Sequence, residues 1–271
     1  MSYLNIEGVL VHAEDAGDVR DGEPILLLHG GFNSLEHLRP LGEILARTHR
    51  VLSFERPGHG RSPDIAGDYS YDQGVAQALA FLDTRGVGSA HIIGYSDGAI
   101  IGLLLALRHP GRVRSLVSIS GNLNPGAFND SADDGASQVL LPLPEISEES
   151  EPEANDTDTE REHYERLSPD GPHHADVVLN KLFTLWTSEP QIEPSELKDI
   201  AAPTLIMSAD RDTIRPDHSL LMAASIPGAQ LCIVPGATHD LVADRPALVN
   251  LVVTEFLRDG YRTTTKSRNL S

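Results

Sequence analysis

A serine stands between two glycines in Gly94-Tyr95-Ser96-Asp97-Gly98, after a strand-like apolar run and before a helix-like one. Small residues on both sides let a strained strand-to-helix turn pass close to neighbouring backbone and expose the hydroxyl. The start of a helix beneath the serine offers free N–H groups that suit a developing oxyanion. The pattern therefore indicates a serine nucleophile, although a turn that simply needs room produces the same small residues.

A serine hydroxyl needs a base, and the base needs an orienting acid. His239 follows the strand-like residues 230–234 and precedes the last predicted helix, which makes it the candidate base. The candidate acid follows the preceding strand, residues 204–208, where the chain offers Asp210 and Asp212. The order serine, aspartate, histidine is the one expected for this chemistry on an open α/β sheet.

The elements that must position these side chains alternate along the chain. Continuous apolar runs predict strands buried on both faces, and apolar residues at helical spacing predict the helices between them. Strands are predicted over residues 6–12, 24–28, 50–54, 90–94, 113–119, 204–208 and 230–234, and helices over 34–48, 71–84, 98–108, 216–224 and 241–257. Repeated strand–helix units imply an α/β fold whose mostly parallel, twisted sheet carries helices on both faces.

An insert interrupts this alternation. The core is predicted over residues 1–123 and 195–271, with a cap inserted at 124–194. Residues 127–170 hold 14 acidic residues against two arginines, and we expect a mobile acidic loop over about 128–165 because few large apolar residues are present. A lid helix is expected over about 175–187, with Trp186 or Phe183 lining a pocket.

Composition restricts the partners. The net charge of −19 and the lack of a basic cluster disfavour nucleic acid and anionic membranes. We expect a cytoplasmic protein, because the chain shows neither a signal-peptide pattern nor an apolar run of about 18 residues. The single cysteine, Cys232, lies in a strand-like run and is expected to be a buried structural thiol. The pair His173-His174 lacks a third ligand at usable spacing, so no metal is expected and both side chains should face solvent.

Five motifs in order carry a family resemblance. They are Leu28-His29-Gly30-Gly31-Phe32, the segment ERPGHGRS at 55–62, the serine turn, the segment PTLIMSADRDTIRP at 203–216, and Pro235-Gly236-Ala237-Thr238-His239. In these motifs the chain resembles the α/β-hydrolase-fold superfamily, nearest to the amino-ester (valacyclovir-hydrolase) type and related bacterial hydrolases. The resemblance covers the chain except for the insert.

The resemblance implies roles for individual residues. In the family the acid lies four residues before the proline of its loop, which selects Asp212, and Asp210 is then expected to accept backbone N–H groups. The oxyanion hole is implied at the N–H groups of Asp97 and Gly31, with Phe32 as the alternative to Gly31. His29 and the 56–62 loop are expected to shape the rim of the site.

Substrate contacts are expected from Phe32, Tyr95, Phe183 and Trp186. Asp97 carries two interpretations. In the amino-ester type the aspartate after the nucleophile holds a substrate ammonium group, whereas an acid in the first turn of a helix is also favourable by itself.

The expected function is cofactor-free hydrolysis of a small-molecule carboxylic ester by water through an acyl-enzyme intermediate. A lactonase, a thioesterase, a carbon–carbon bond hydrolase and a non-catalytic small-molecule receptor on the same fold are the alternatives. Dehalogenase and epoxide-hydrolase chemistry is disfavoured, because those relatives use an aspartate where Ser96 stands.

Overall fold

The structure is a computed structural model that describes residues 2–6, 8–17, 23–128 and 156–266. Its strands are β1 (Ser2–Ile6), β2 (Val9–Ala16), β3 (Ile25–Leu28), β4 (Val51–Phe54), β5 (Ala90–Tyr95), β6 (Val113–Ile119), β7 (Thr204–Arg211) and β8 (Gln230–Thr238). They form one sheet in the order β1-β2-β4-β3-β5-β6-β7-β8. The pairings of β2 with β1 and with β4 are antiparallel and the others are parallel, so the predicted mostly parallel sheet is confirmed.

Helices cover both faces of the sheet. They are α1 (Leu35–Leu45), α2 (Tyr71–Thr84), α3 (Asp97–Arg108), α4 (Asp156–Leu167), α5 (Ala175–Ser188), α6 (Pro216–Ser225), α7 (Leu241–Asp244) and α8 (Pro246–Lys266). Successive strand residues point to opposite faces. In β3, accordingly, Leu26 and Leu28 join a core with α2, α3 and α5, while Ile25 and Leu27 join a second core with α1 and α8. None of the described helices combines the length and apolar character that a bilayer crossing requires.

Two predicted elements are wrong in their bounds. The single edge strand predicted over 6–12 is instead part of a hairpin, because Gly8 adopts a left-handed backbone conformation (φ +87°) and turns the chain between β1 and β2. The helix predicted over 241–257 is two helices, α7 and α8. Pro246 begins the second one, where its missing N–H is tolerated.

The insert contains α4 and α5. The helix predicted over 175–187 is present as α5, and its apolar residues Val178, Leu182 and Leu185 are buried, while its role as a lid stays a prediction. The acidic loop predicted over about 128–165 is wrong for its last part, because α4 begins at Asp156. Tyr164 anchors α4 by stacking on Phe32, with ring centroids 5.1 Å apart. The rest of the predicted loop, residues 129–155, lies outside the described residues, and the cap boundaries stay a prediction.

Candidate active site

Ser96 occupies a strained turn between β5 and α3. Its backbone adopts φ 52° and ψ −117°, a conformation that residues other than glycine rarely adopt. Both flanking glycines are required by close backbone contacts. A Cβ at Gly94 would lie 2.1 Å from the carbonyl oxygen of Gly98, and one at Gly98 would lie 2.0 Å from that of Leu28. The two glycines therefore allow this turn, and the turn raises the Ser96 hydroxyl at the carboxyl edge of the sheet.

Ser96, His239 and Asp212 form a hydrogen-bonded chain. His239 Nε2 lies 3.1 Å from Ser96 Oγ, and His239 Nδ1 lies 2.6 Å from Asp212 Oδ1. The three residues follow β5, β8 and β7, so the carboxyl ends of three parallel strands bring them together. This arrangement can move a proton from the serine hydroxyl to the imidazole and hold the resulting positive charge against a carboxylate.

Asp212 is held from several sides. Its Oδ2 accepts hydrogen bonds from Ser120 Oγ at 2.5 Å and from the Ala209 N–H at 3.3 Å, and its Oδ1 accepts one from the Ile214 N–H at 3.0 Å. Burial raises the pKa of Asp212, but the hydrogen bonds from His239 and Ser120 outweigh burial, and the pKa lies below its ordinary value. The side chain is therefore an oriented carboxylate.

The pKa values of Asp212 and His239 shift in opposite directions. Burial lowers the pKa of His239, yet the hydrogen bond and the charge of Asp212 raise it by more, and the pKa lies above its ordinary value. Each partner thus favours the charged form of the other, which is the behaviour expected of a base paired with its orienting acid.

Asp210 lies outside this chain of hydrogen bonds. Its Oδ1 accepts from the N–H groups of Gly236 and Ala237, at 2.8 and 3.3 Å. The hydrogen bond from Gly236 lowers the pKa of Asp210. Asp210 lies near the end of β7, not in the loop expected from the sequence, and its side chain ties that strand end to β8 through backbone N–H groups, as expected.

A glycine turn passes beside Ser96. A Cβ at Gly30 would lie 3.3 Å from Ser96 Cβ. One at Gly31 would lie 2.5 Å from Trp186 Cζ2 and 2.7 Å from Asp97 Oδ2. Any side chain at position 31 would displace these neighbours, so the close approach of the turn depends on glycine. This approach places the Gly30–Gly31 turn against Ser96, Asp97 and Trp186.

His29 fixes the glycine turn. Its Nδ1 donates to the Gly30 carbonyl oxygen at 2.7 Å, and its Nε2 accepts from the Arg56 N–H at 3.0 Å. These partners assign the imidazole proton to Nδ1. Burial lowers the pKa of His29 well below its ordinary value, so the ring is neutral. Its position supports the rim-shaping role expected for it.

The Asp97 carboxylate is buried and accepts three hydrogen bonds. Tyr71 Oη and Trp186 Nε1 donate to Oδ1 at 3.0 and 2.8 Å, and Arg56 Nη2 donates to Oδ2 at 3.1 Å. The donors come from the start of α2, from α5 and from the loop after β4, so the carboxylate holds the lid helix next to Ser96. The Asp97 carboxylate thus accepts two hydrogen bonds at Oδ1 and one at Oδ2, and its charge is paired with that of Arg56.

A cavity of about 190 Å³ opens onto Ser96 and His239. Its other lining residues are Tyr71, Asp97, Asn122, Phe128, Trp186, Glu189, Thr213 and Ile214. Pockets for drug-sized ligands measure about 300–1,000 Å³, so this cavity suits a small substrate.

One of the four residues predicted to contact a substrate lines this cavity. Trp186 does so, the other three do not line it, and their substrate contacts stay a prediction. Phe32 lines a separate cavity, where it stacks on Tyr164, and Tyr95 is buried in the core. Phe183 packs edge-on against Trp186 and is 56% exposed.

Several residues of the site had no individual role predicted from the sequence: Ser120, Arg56, Tyr71 and Glu189, and also Asn122, Phe128, Thr213 and Ile214 of the cavity wall. Ser120 directly follows β6, and Ser96 directly follows the neighbouring strand β5. Because the two strands end at the same edge of the sheet, the sequence contained a signal that could have located Ser120. Arg56, Tyr71 and Glu189 gave no such signal, because their partners are distant in the sequence.

Within the described ranges, no group of three or more His, Cys, Asp or Glu side chains is arranged to hold a metal ion. The sequence predicts that His174 faces solvent, but its side chain is half-buried. Its Nε2 lies 2.8 Å from Asp64 Oδ2. His173 is exposed. Cys232 is half-buried at the outer strand β8, and burial raises the pKa of its thiol.

Comparison with known proteins identifies the family. The model of the alpha/beta hydrolase family matches residues 25–250, which include all the motifs of the site. The chain belongs to the α/β-hydrolase family.

Its relatives in this family are bacterial hydrolases. RutD of Azorhizobium caulinodans, named a carbamate hydrolase, is 30% identical over 87% of this chain and 91% of its own length. The 2-hydroxy-6-oxo-6-phenylhexa-2,4-dienoate hydrolase of Burkholderia cepacia is 25% identical over 92% of both chains. The enol-lactonase from Burkholderia xenovorans LB400 superimposes with a TM-score of 0.71 over 95% of this chain and 100% of its own, and its 21% identity shows the shared fold alone. The two relatives found by sequence support a hydrolase, and they differ in the bond they are named for.

Proposed function

We propose that this α/β hydrolase cleaves a carboxylic ester of a small molecule through an acyl-enzyme intermediate. Ser96 Oγ attacks the ester carbonyl carbon while His239 Nε2 takes the hydroxyl proton, and Asp212 stabilises the imidazolium. The tetrahedral oxyanion is bound by the N–H groups of Gly31 and Asp97.

The intermediate then collapses in two steps. His239 returns its proton to the leaving alkoxide, and the C–O bond breaks to leave an acyl group on Ser96. A water molecule then attacks the acyl carbon while His239 takes its proton. The second tetrahedral intermediate collapses when His239 gives this proton to Ser96 Oγ, the bond between Ser96 Oγ and the acyl carbon breaks, and the carboxylic acid leaves. The proposal rests above all on the hydrogen-bonded chain from Ser96 to His239 to Asp212, at 3.1 and 2.6 Å, at the mouth of a small cavity.

Carbamates are a second candidate substrate class. A carbamate places a nitrogen beside the same carbonyl carbon, so the same residues can act on it. The relative that is 30% identical is named a carbamate hydrolase. The cavity wall also contains hydrogen-bond acceptors for a substrate N–H, on Glu189 and Asn122.

Carbon–carbon cleavage of dienoates is less well supported. The substrates named for the Burkholderia cepacia relative carry a carboxylate. Of the described residues that line the cavity, two are acidic and none is lysine or arginine. A substrate carboxylate would therefore find no lysine or arginine among these residues and would meet the carboxylate of Glu189.

A substrate panel tests the proposal. Ethyl and p-nitrophenyl esters, lactones, thioesters, carbamates and a dienoate are incubated with the wild type and with Ser96→Ala. We expect turnover of small esters that Ser96→Ala abolishes. Turnover of another class alone would reassign the bond that is cleaved. Absence of turnover in a folded sample would favour the non-catalytic receptor.

A further inference from the structure

Glu189 is the second carboxylate of the catalytic cavity, and its surroundings differ from those of Asp97. Asp97 accepts hydrogen bonds from three side chains, one of them the guanidinium of Arg56. The Glu189 carboxylate accepts one hydrogen bond, from the backbone N–H of Tyr71 to Oε2 at 3.0 Å. Its Oε1 has no hydrogen bond to any described residue, and the side chain is half-buried.

The single hydrogen bond orients Glu189. Tyr71 is the first residue of α2, so its N–H belongs to the positive end of that helix. The interaction holds Oε2, and Oε1 keeps its acceptor capacity in a side chain that lines the cavity. Tyr71 also donates its hydroxyl to Asp97, so one residue anchors both carboxylates.

The remaining polar wall of the cavity is also rich in acceptors. Asn122 uses its side-chain N–H to bond the Asn124 carbonyl oxygen at 2.9 Å, and its amide oxygen has no partner among the described residues. The hydroxyl of Thr213, which also lines the cavity, can accept as well. With no lining lysine or arginine in the described chain, the wall offers a carboxylate and neutral acceptors to a substrate.

We propose that Glu189 is a specificity-determining residue that binds a primary ammonium group of the substrate through Oε1. The substrates would then be small esters that carry an ammonium group. This inference rests on the proposed ester hydrolysis, because Glu189 shares the cavity of Ser96. It favours Glu189 over Asp97 because the Asp97 charge is paired with Arg56, whereas the Glu189 carboxylate accepts one hydrogen bond from a described residue.

Two esters of the same shape test the assignment. Ethyl alaninate and ethyl isobutyrate differ by an ammonium group in place of a methyl group, and the ammonium form dominates at about pH 7. Glu189→Gln removes the charge and keeps the shape. We expect kcat/KM for ethyl alaninate to fall about tenfold to a hundredfold, the loss of a hydrogen bond to a charged group, and that for ethyl isobutyrate to change less than about threefold.

A matched control separates charge in the cavity from overall charge. Glu43 is exposed on α1, and Glu43→Gln removes the same charge far from the cavity. It should leave both substrates unchanged. Equal losses on the two esters in Glu189→Gln, or an unchanged rate with ethyl alaninate, would overturn the proposal.

Binding measurements test the role of Glu189 independently of ester turnover. Calorimetry should show that propylammonium binds the wild type and binds Glu189→Gln about tenfold more weakly or not at all. If Glu189→Gln does not fold, the wild type must turn over ethyl alaninate with a higher kcat/KM than ethyl isobutyrate, and the reverse order would contradict the assignment. If neither ester is hydrolysed, ester hydrolysis is refuted, and propylammonium binding alone then decides the role of Glu189.

Discussion

Asp212→Asn should lower kcat by about 10⁴-fold, the loss seen for the equivalent change in a serine protease, or about 5 kcal/mol in barrier height. The Asp212 carboxylate accepts at both oxygens. Oδ1 faces His239 and Ile214, and Oδ2 faces Ser120 and Ala209. An asparagine has one oxygen and one NH₂ group, so one of these sides must meet a donor in place of an acceptor.

Both orientations of the asparagine impair the base. With NH₂ toward His239, the imidazole must carry its proton on Nε2, and it then cannot accept the proton of Ser96. With the oxygen toward His239 the tautomer is kept, but the negative charge that stabilises the imidazolium is lost. Either orientation of the asparagine therefore predicts a large loss of kcat, although the cause of the loss differs between them.

Asp210→Asn is the matched control. Both backbone N–H groups that bind Asp210 donate to Oδ1, and an asparagine oxygen can accept both. We expect kcat to change less than about tenfold, since at most about one hydrogen bond is weakened. Initial rates at saturating ester, with thermal unfolding to verify folding, measure both variants. A larger loss in Asp210→Asn than in Asp212→Asn would refute the assignment of the acid.

Three further predictions concern the base, the turn and the lid. We expect kcat/KM to fall as the pH falls through the pKa of His239. Burial lowers this pKa, but Asp212 raises it by more, so it lies above its ordinary value. The acid limb of the pH–rate profile should therefore move to lower pH in Asp212→Asn. Gly98→Ala should lower the unfolding free energy by about 1–3 kcal/mol or more, measured by thermal unfolding, whereas Gly88→Ala, with no atom within 4 Å of its added Cβ, should not. Trp186→Phe removes a hydrogen bond to Asp97 and should raise KM about tenfold, while the exposed Phe183→Leu should leave KM unchanged in the same assay.

The alternation of strands and helices could be predicted from the sequence because apolar runs and glycine or proline boundaries are local signals. Helix α2 and strand β6 have the predicted bounds, 71–84 and 113–119. Ser96, Asp212 and His239 could be predicted for a related reason. Each follows a strand, and parallel strands place their carboxyl ends at one edge.

The surroundings of Asp97 could not be predicted in this way. Its donors Tyr71, Arg56 and Trp186 lie 26, 41 and 89 residues away, so their contacts depend on how separate elements pack. Trp186 and Phe183 are three residues apart and therefore neighbours on the surface of α5. Periodicity could not decide which of them faces the cavity, and packing against Gly31 selects Trp186.

The most direct test of the proposed hydrolase is covalent labelling of Ser96. A fluorophosphonate probe should form one adduct per chain, and peptide mapping by mass spectrometry should locate it on Ser96 and not on the nearby Ser118 or Ser120. Ser96→Ala should remain unlabelled, and His239→Gln should label far more slowly because the hydroxyl loses its base. Labelling of another serine, or none in a folded sample, would contradict a serine nucleophile at this turn.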